Sequence, residues 1–517
     1  MLEQCLHVIQ QQAEEIDVLK DEVRVLKGEK KRPTFKPSKL DKETDKPKAK
    51  DSAPTKKKKR PGSKKRSKNA TLAIHEERVI QPKGDIPPGS RFKGYRDFVV
   101  QELVINTQNT RYRLARWEAP NGQTLTGQLP DELNGRHYGP HLRSYVLYQH
   151  HHCHVTQPLL LEQLREWGID ISVGEINHLL SEGKNHFHEE KNEVLKTGLA
   201  VSDYITVDDS GARHKGQNGY VTQIGNEHFA WFKSTGSKSR INFLELLGAG
   251  DQGYRINEEA RAYWQTQKLP QRPLSRLLKS EQSYIADAVR WEAYLDEIGI
   301  TTARHRRIAT EGALIGNVQQ GGRCKNLAIV SDDAGQFNIL LHALCWIHTE
   351  RLVHTLLPLN ERHREDIAKV RGEIWDFYRD LKSYKVQPDA DQRETLEARF
   401  DEIFAQRTCY ELLNRLLRRI HKNKSELLLV LVRPDIPLHT NGSETDIRDY
   451  VKKRKVSGGT RSDTGRQCRD TFTSLKKTCR KLGVSFWHYL LDRVSGIGDI
   501  LPLPELMRRA IAAGMGA

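Results

Sequence analysis

The stretch Tyr204-Ile205-Thr206-Val207-Asp208-Asp209-Ser210-Gly211 decides how this chain is read. Apolar residues alternate and then give way to a carboxylate pair, which predicts a strand ending in acids. Two strand-like stretches follow, Gly219 to Ile224 and His228 to Phe232, around a Gly225-Asn226 turn. That order predicts strand, hairpin turn, strand. Side chains alternate faces along a strand, so Asp208 and Asp209 cannot share one face while the strand persists. The register that buries Ile205 and Val207 leaves Asp208 with Thr206 on the other face.

A second segment has the same logic. In Leu327-Ala328-Ile329-Val330-Ser331-Asp332-Asp333-Ala334-Gly335-Gln336-Phe337 a continuous apolar run ends in acids. Such a run fits a buried central strand. Asp332 would project from its C-terminal end, the edge where ligands collect in open α/β sheets. The third segment is His439-Thr440-Asn441-Gly442-Ser443-Glu444-Thr445-Asp446-Ile447-Arg448, before Tyr450-Val451-Lys452-Lys453-Arg454-Lys455. It predicts a loop entering a helix with a carboxylate in the first turn. Arg448, Lys452 and Lys455 then follow along roughly one helical face.

Three carboxylates from separate elements suit hard divalent cations, which take oxygen ligands and keep waters and phosphates in their other positions. Two such ions about 4 Å apart can activate the attacking oxygen and stabilise the leaving one in displacement at phosphorus. Basic residues alongside would neutralise phosphate charge. Each motif alone is weak, because an Asp at a strand end is more often a turn residue.

The rest of the chain frames these segments. Its 517 residues allow about three domains at roughly 150 residues each. No stretch approaches the roughly 20 apolar residues of a membrane helix. Met1 to Gln11 lacks a basic flank followed by an apolar run, so no signal peptide is expected. The seven cysteines form no Cys-x-x-Cys pair, which points to reduced thiols and a cytoplasmic protein. Net charge is +17, unevenly spread. Lys27 to Lys68 holds 19 basic against 5 acidic residues, a net of +14, whereas residues 1–26 carry −4. A polyanion partner is the obvious reading of the basic segment.

Residues 1–27 predict a coiled coil, with Leu2, Ile9, Ile16 and Val23 in one heptad position and Cys5, Gln12, Leu19 and Leu26 in the offset one. Homo-oligomerisation would follow; a lone amphipathic helix is the alternative. Residues 28–87 read as a disordered basic linker, since the Lys- and Pro-rich part before residue 70 holds one aromatic, Phe35. Residues 88–150 predict a small antiparallel β module, from alternation in Phe98 to Ile105 and in Tyr112 to Trp117. Residues 151–198 predict a helix-turn-helix. Thr156 and Pro158 open its first helix, Gly168 breaks it, and Ser172-Val173-Gly174-Glu175 is a capping box for the second. Such pairs also occur without DNA. Residues 496–517 read as a C-terminal tail.

Taken together, the motifs resemble the DDE transposases of the insertion-sequence-66 type, over about residues 155–495. Val207-Asp208-Asp209-Ser210-Gly211 is similar to that family's Asp-Glu-Thr motif, with Asp209 and Ser210 as mild departures. Asp332-Asp333-Ala334-Gly335-Gln336-Phe337, then Cys345-Trp346-Ile347-His348-Thr349-Glu350-Arg351, resembles the second Asp segment and its Cys-Trp-x-His-x-x-Arg sequel. Asn441-Gly442-Ser443-Glu444, then Arg448, Arg454-Lys455 and Ser462-Asp463-Thr464-Gly465, resembles the segment carrying the Glu; Thr445 stands where Arg is usual. The family spacing to Phe337 selects Asp332 over Asp333.

The resemblance implies an α/β fold with a ribonuclease-H-like catalytic core over 199–495, carrying insertions at about 239–325 and 352–437. It implies catalytic, metal-binding Asp208, Asp332 and Glu444 holding two Mg²⁺ or Mn²⁺. Arg448, Lys452, Arg454 and Lys455 would contact the backbone of double-stranded DNA. The activity implied is cutting of transposon ends and joining of a 3′ hydroxyl to target DNA, in a bacterial, nucleoid-associated protein. The alternatives are a non-catalytic DNA-binding protein derived from a transposase, and a structure-selective nuclease. Relatives' cysteine zinc module is replaced here by His150-His151-His152-Cys153-His154, read as a His-rich turn or strand end rather than a chelate. Cys345 and His348 are read as packing against the catalytic sheet; zinc stays the alternative at both places.

Overall fold

A computed structural model of the chain describes residues 72–130, 133, 136–279 and 282–514. The expected coiled coil and most of the basic linker lie outside the described residues. The chain divides into two units after Leu103. In the first, residues 72–103 form no helix or strand. Phe98 and Leu103 are 88% and 79% exposed, so the alternation there has no face to bury.

The second unit opens with a hairpin, β1 (Arg116–Glu118) and β2 (Thr124–Thr126), turned at Asn121-Gly122. The expected β module therefore reduces to this hairpin. Its last stretch is a helix, α1 (Pro140–His151), with a proline in the first turn and Val146 and Leu147 buried. The expected helix pair follows as α2 (Gln157–Glu166) and α3 (Val173–Ser181), with Gly168 at φ +76° between them. Ser172 Oγ accepts from the Glu175 amide, as a capping box requires. Next comes α4 (Asn185–Val201).

The centre is a five-stranded mixed sheet. Its strands are β3 (Tyr204–Gly211), β4 (Tyr220–Gly225), β5 (Ala230–Thr235), β8 (Ala328–Ser331) and β9 (Leu341–Leu344), in the order β5-β4-β3-β8-β9. β3, β4 and β5 form an antiparallel meander, whereas β3, β8 and β9 are parallel. Alternation sorts the two faces. Ile205, Val207, Ile329, Phe229 and Trp231 join one large core, which also packs the N-terminal helices. Ala328 and Val330 point to a second core, under the helices after residue 345.

The segment 239–325, between β5 and β8, holds α5 (Arg240–Leu247), α6 (Glu258–Thr266), α7 (Gln271–Leu278), α8 (Ala288–Glu297) and α9 (Ala303–Val318), with a short ribbon of β6 (Tyr254–Arg255) and β7 (Tyr284–Ile285). After β9 come α10 (Trp346–His354), α11 (Glu361–Val386), α12 (Ala390–Ala405), α13 (Glu411–Lys422) and α14 (Lys424–Leu427). Trp346, Phe377, Phe400 and Phe404 pack together at their centre in tilted and edge-on contacts. The largely helical spacing read in this segment is what the chain adopts.

Two helices then return to the sheet, α15 (Asn441–Ser457) and α16 (Asp463–Lys481). α15 lies on the second face, where Ile447 and Tyr450 pack on Val221 and Phe232. α16 runs along β5, whose outer edge has no strand partner among the described residues. Its side chains serve that edge directly. Asp470, Ser474 and Thr478 accept from the backbone amides of Ser234, Phe232 and Ala230 at 2.7, 2.9 and 3.2 Å. Helical spacing of four residues thus meets strand spacing of two, and a bare edge is closed.

The last helices are α17 (Phe486–Ser495) and α18 (Leu503–Gly514). The expected tail is therefore largely a helix, which Leu503 and Met507, both fully buried, dock into the large core. Among the described residues no helix is long and apolar enough to cross a membrane.

Candidate active site

The pairing of β3 with β8 ends at Thr206 opposite Val330. Asp208 and Asp332 each lie two residues further on, so they occupy matching positions just past the paired rungs of these adjacent parallel strands. Strand neighbours are about 4.8 Å apart. β3 continues to Gly211, so Asp208 and Asp209 point to opposite faces. Asp208 takes the face of Thr206. Asp209 takes the other, where Gln336 Nε2 donates to it at 2.6 Å and Lys238 lies 3.9 Å away.

Thr206 also fixes the third carboxylate. Ser443 Oγ donates to Thr206 Oγ1 at 2.5 Å, which anchors the start of α15 over the Thr206–Asp208 face. Glu444 is the next residue, in the first turn of that helix. Asp332 turns one carboxylate oxygen to the Ala334 amide at 3.2 Å, while Asp333 is taken up by Arg419 of α13. The sequence-predicted Asp208, Asp332 and Glu444 thus come from three elements to one end of the sheet.

Residues 323–468 match the family model described as Transposase IS66 family. The uncharacterized protein y4jO of Sinorhizobium fredii is 45% identical over 317 residues, covering 61% of this chain and 99% of that protein. The chain belongs to the IS66 transposase family. The matched segment contains Asp332 and Glu444; Asp208 precedes it.

The electrostatics of this family member tie the three acids together. Burial raises the Asp208 carboxyl. The Asp209 amide, donating to it at 2.7 Å, works against burial, and Asp332, Asp209 and Glu444 add like charge; the result is pushed up to about 7. Asp209 is raised by burial too, but Lys238 and Gln336 oppose the rise. Gln223, the cross-strand partner of Asp208, is fully buried, and neither end of its amide has a partner among the described residues.

Glu444 is held differently. Arg351 of α10 donates to both of its oxygens, at 2.9 and 3.3 Å. His348 Nε2 lies at 3.4 Å and Arg448 at 3.9 Å. Burial opposes the His348 imidazolium, but Cys345 and Glu444 outweigh it and hold its pKa above the ordinary value. Beside these groups lies a cleft of about 390 Å³, lined among others by Asp332, His348, Arg351, Arg419 and Asn423. Among the described residues no group of three or more His, Cys, Asp or Glu side chains stands ready around one ion.

Of the basic residues expected to face DNA, Arg448, Lys452 and Lys455 are exposed. Arg454 instead donates to the Gly211 carbonyl and to Ser210, bracing the end of β3. His150 to His154 lie at the end of α1 and in the turn beyond it, not at a strand end. His150 Nδ1 meets the Val155 carbonyl, His151 stacks on Phe472, and His154 pairs with Asp449. Burial and the nearby Lys453 lower the pKa of both His150 and His151.

Sequence reading missed the partners of the acids. Gln336 and Arg351 stand within quoted motifs, yet nothing in the linear order says that Arg351 meets a glutamate 93 residues later.

Proposed function

We propose that this chain is a DDE transposase that cuts DNA and joins a freed 3′ hydroxyl to target DNA. The observation that carries the reading is the matching register of Asp208 and Asp332 on neighbouring parallel strands, with Glu444 opening the helix that Ser443 ties to Thr206. The strand order supports a ribonuclease-H-like core: a three-stranded meander with two parallel strands added beside its first strand. Family membership supports DNA as the substrate.

The donor set fits a hard divalent cation, because it consists of carboxylate oxygens. Acids crowded around a half-buried Asp208 and the unpartnered Gln223 amide mark a place where charge and polarity are left unmet. Asp208, Asp332 and Glu444 would hold two Mg²⁺ or Mn²⁺, which supply Lewis-acid activation of the attacking and leaving oxygens. Register makes Asp208, rather than Asp209, the group on the face of Glu444. Arg448 and Lys452, one turn apart after Glu444, would neutralise phosphates of the bound strand. α2 and α3 would engage transposon ends, and residues 1–27 would assemble protomers as a coiled coil.

A second reading, a DNA-binding protein without catalysis, is favoured only by the engagement of Glu444 with Arg351. One assay separates the two: joining of element-end DNA to a plasmid in Mg²⁺ or Mn²⁺. Asp332→Ala should abolish joining while end binding is retained. Unimpaired joining by that variant overturns the enzyme assignment.

A further inference from the structure

Glu444 is the odd member of the three acids. It lies over the same face as Asp208, yet its two oxygens are both occupied by one guanidinium. A bidentate Arg–carboxylate pair is among the stronger charge-assisted contacts. A carboxylate so engaged cannot also offer those lone pairs to a cation. Among the described residues no three such acids stand ready around one ion.

Arg351 is also free to leave. Its side chain is 47% exposed, and it lines the cleft that Asp332 lines. A phosphate entering that cleft presents the same planar pair of oxygens that a carboxylate does, and guanidinium binds both in a fork. An exposed ion pair is worth about 0–1 kcal/mol, so exchange between the two partners is easy.

We propose that Arg351 is a positioning residue that latches Glu444 in the DNA-free protein and hands it over when a DNA phosphate takes the guanidinium. The third metal ligand is thereby delivered only with DNA in place. This rests on the reading of Asp208, Asp332 and Glu444 as metal ligands.

The test is Mn²⁺ binding to the full-length chain, followed by paramagnetic resonance of the free ion. It is done without DNA and with a short duplex of arbitrary sequence. Without DNA, Arg351→Ala should bind Mn²⁺ up to about fivefold tighter than the native chain, a change of about 1 kcal/mol, the upper worth of the pair it removes. Adding Glu444→Gln to that variant should remove the gain. Duplex should tighten Mn²⁺ binding in the native chain and not in Arg351→Ala. A merely structural ion pair predicts a lower melting temperature with Mn²⁺ affinity unchanged or weaker, and that result overturns the latch. Asp208→Ala and Asp332→Ala serve as the reference. If they abolish Mn²⁺ binding while Arg351→Ala changes nothing, the latch alone falls. If they leave binding unchanged, the metal reading falls and takes the latch with it.

Discussion

Asp449 and Asp208 are both acids sheltered from water within one domain, and they are treated in opposite ways. Asp449, on α15, faces α16 and the turn after α1. Burial pushes its carboxyl up, but His154, Lys476 and Lys477 overcome that and hold it far below the usual range. Its neighbour Asp446 pairs with Lys481 at 2.9 Å and Lys477 at 3.6 Å. Asp208, at the other end of the same helix–sheet contact, has acids for neighbours and is pushed up to about 7. Balanced charges brace a scaffold. Crowded like charges store an unmet demand for a cation, and such imbalance clusters where chemistry is done.

The scaffold side should break hardest. Asp470 accepts from the Ser234 amide, the Ser234 hydroxyl and the Tyr450 hydroxyl at 2.7, 2.8 and 3.1 Å. Asp470→Ala leaves those groups buried and unpaired, and should cost about 3–5 kcal/mol in denaturant unfolding. A loss below about 1 kcal/mol would show that the edge of β5 does not depend on α16.

The cleft side should respond with the opposite sign. Near its unfolded value of 3.8 and below, the Asp208 carboxyl is protonated in both states and costs nothing. As pH rises toward about 7, the unfolded chain loses this proton readily and the folded chain resists, so stability falls. Above that, the penalty is constant. In chelator at about pH 8, Asp208→Asn should therefore be more stable than the native chain by about 1–2 kcal/mol, allowing for solvent screening. The gain should vanish near pH 4, and thermal melts across that range check it.

Ser474→Ala removes one rung of the β5 edge and should cost about 1–2 kcal/mol by the same unfolding assay. The smallest effect is expected at Lys452. Lys452→Ala should reduce the slope of log affinity for DNA against log salt by about one, with melting unchanged. An unaltered slope would remove Lys452 from the DNA interface.

What was legible in the sequence followed periodicity. The alternation in Tyr204 to Gly211 and the apolar run before Asp332 became the two central strands, and Ser172 capped its helix. Alternation misled at Phe98 to Ile105, because a strand forms only where a partner and a buried face exist. The C-terminal helix was missed because its Gly- and Ala-rich end masked Leu503, Leu506 and Met507. The acids could be placed at strand ends from local pattern. Their partners could not, since Gln336 reaches Asp209 across 127 residues and Arg351 reaches Glu444 across 93. Nor could the ladder on α16, where Asp470, Ser474 and Thr478 are polar and nevertheless buried.

The measurement that tests the centre of this account most directly is single-turnover strand transfer by Asp208→Asn and Asp209→Asn, side by side. Both are conservative changes on adjacent residues, differing in the face of β3 they occupy. Asp208→Asn should lose at least about a thousandfold, the scale of an essential catalytic group, while Asp209→Asn stays within about tenfold of the native rate. Retained activity in Asp208→Asn, or the reverse order of the two, would contradict it.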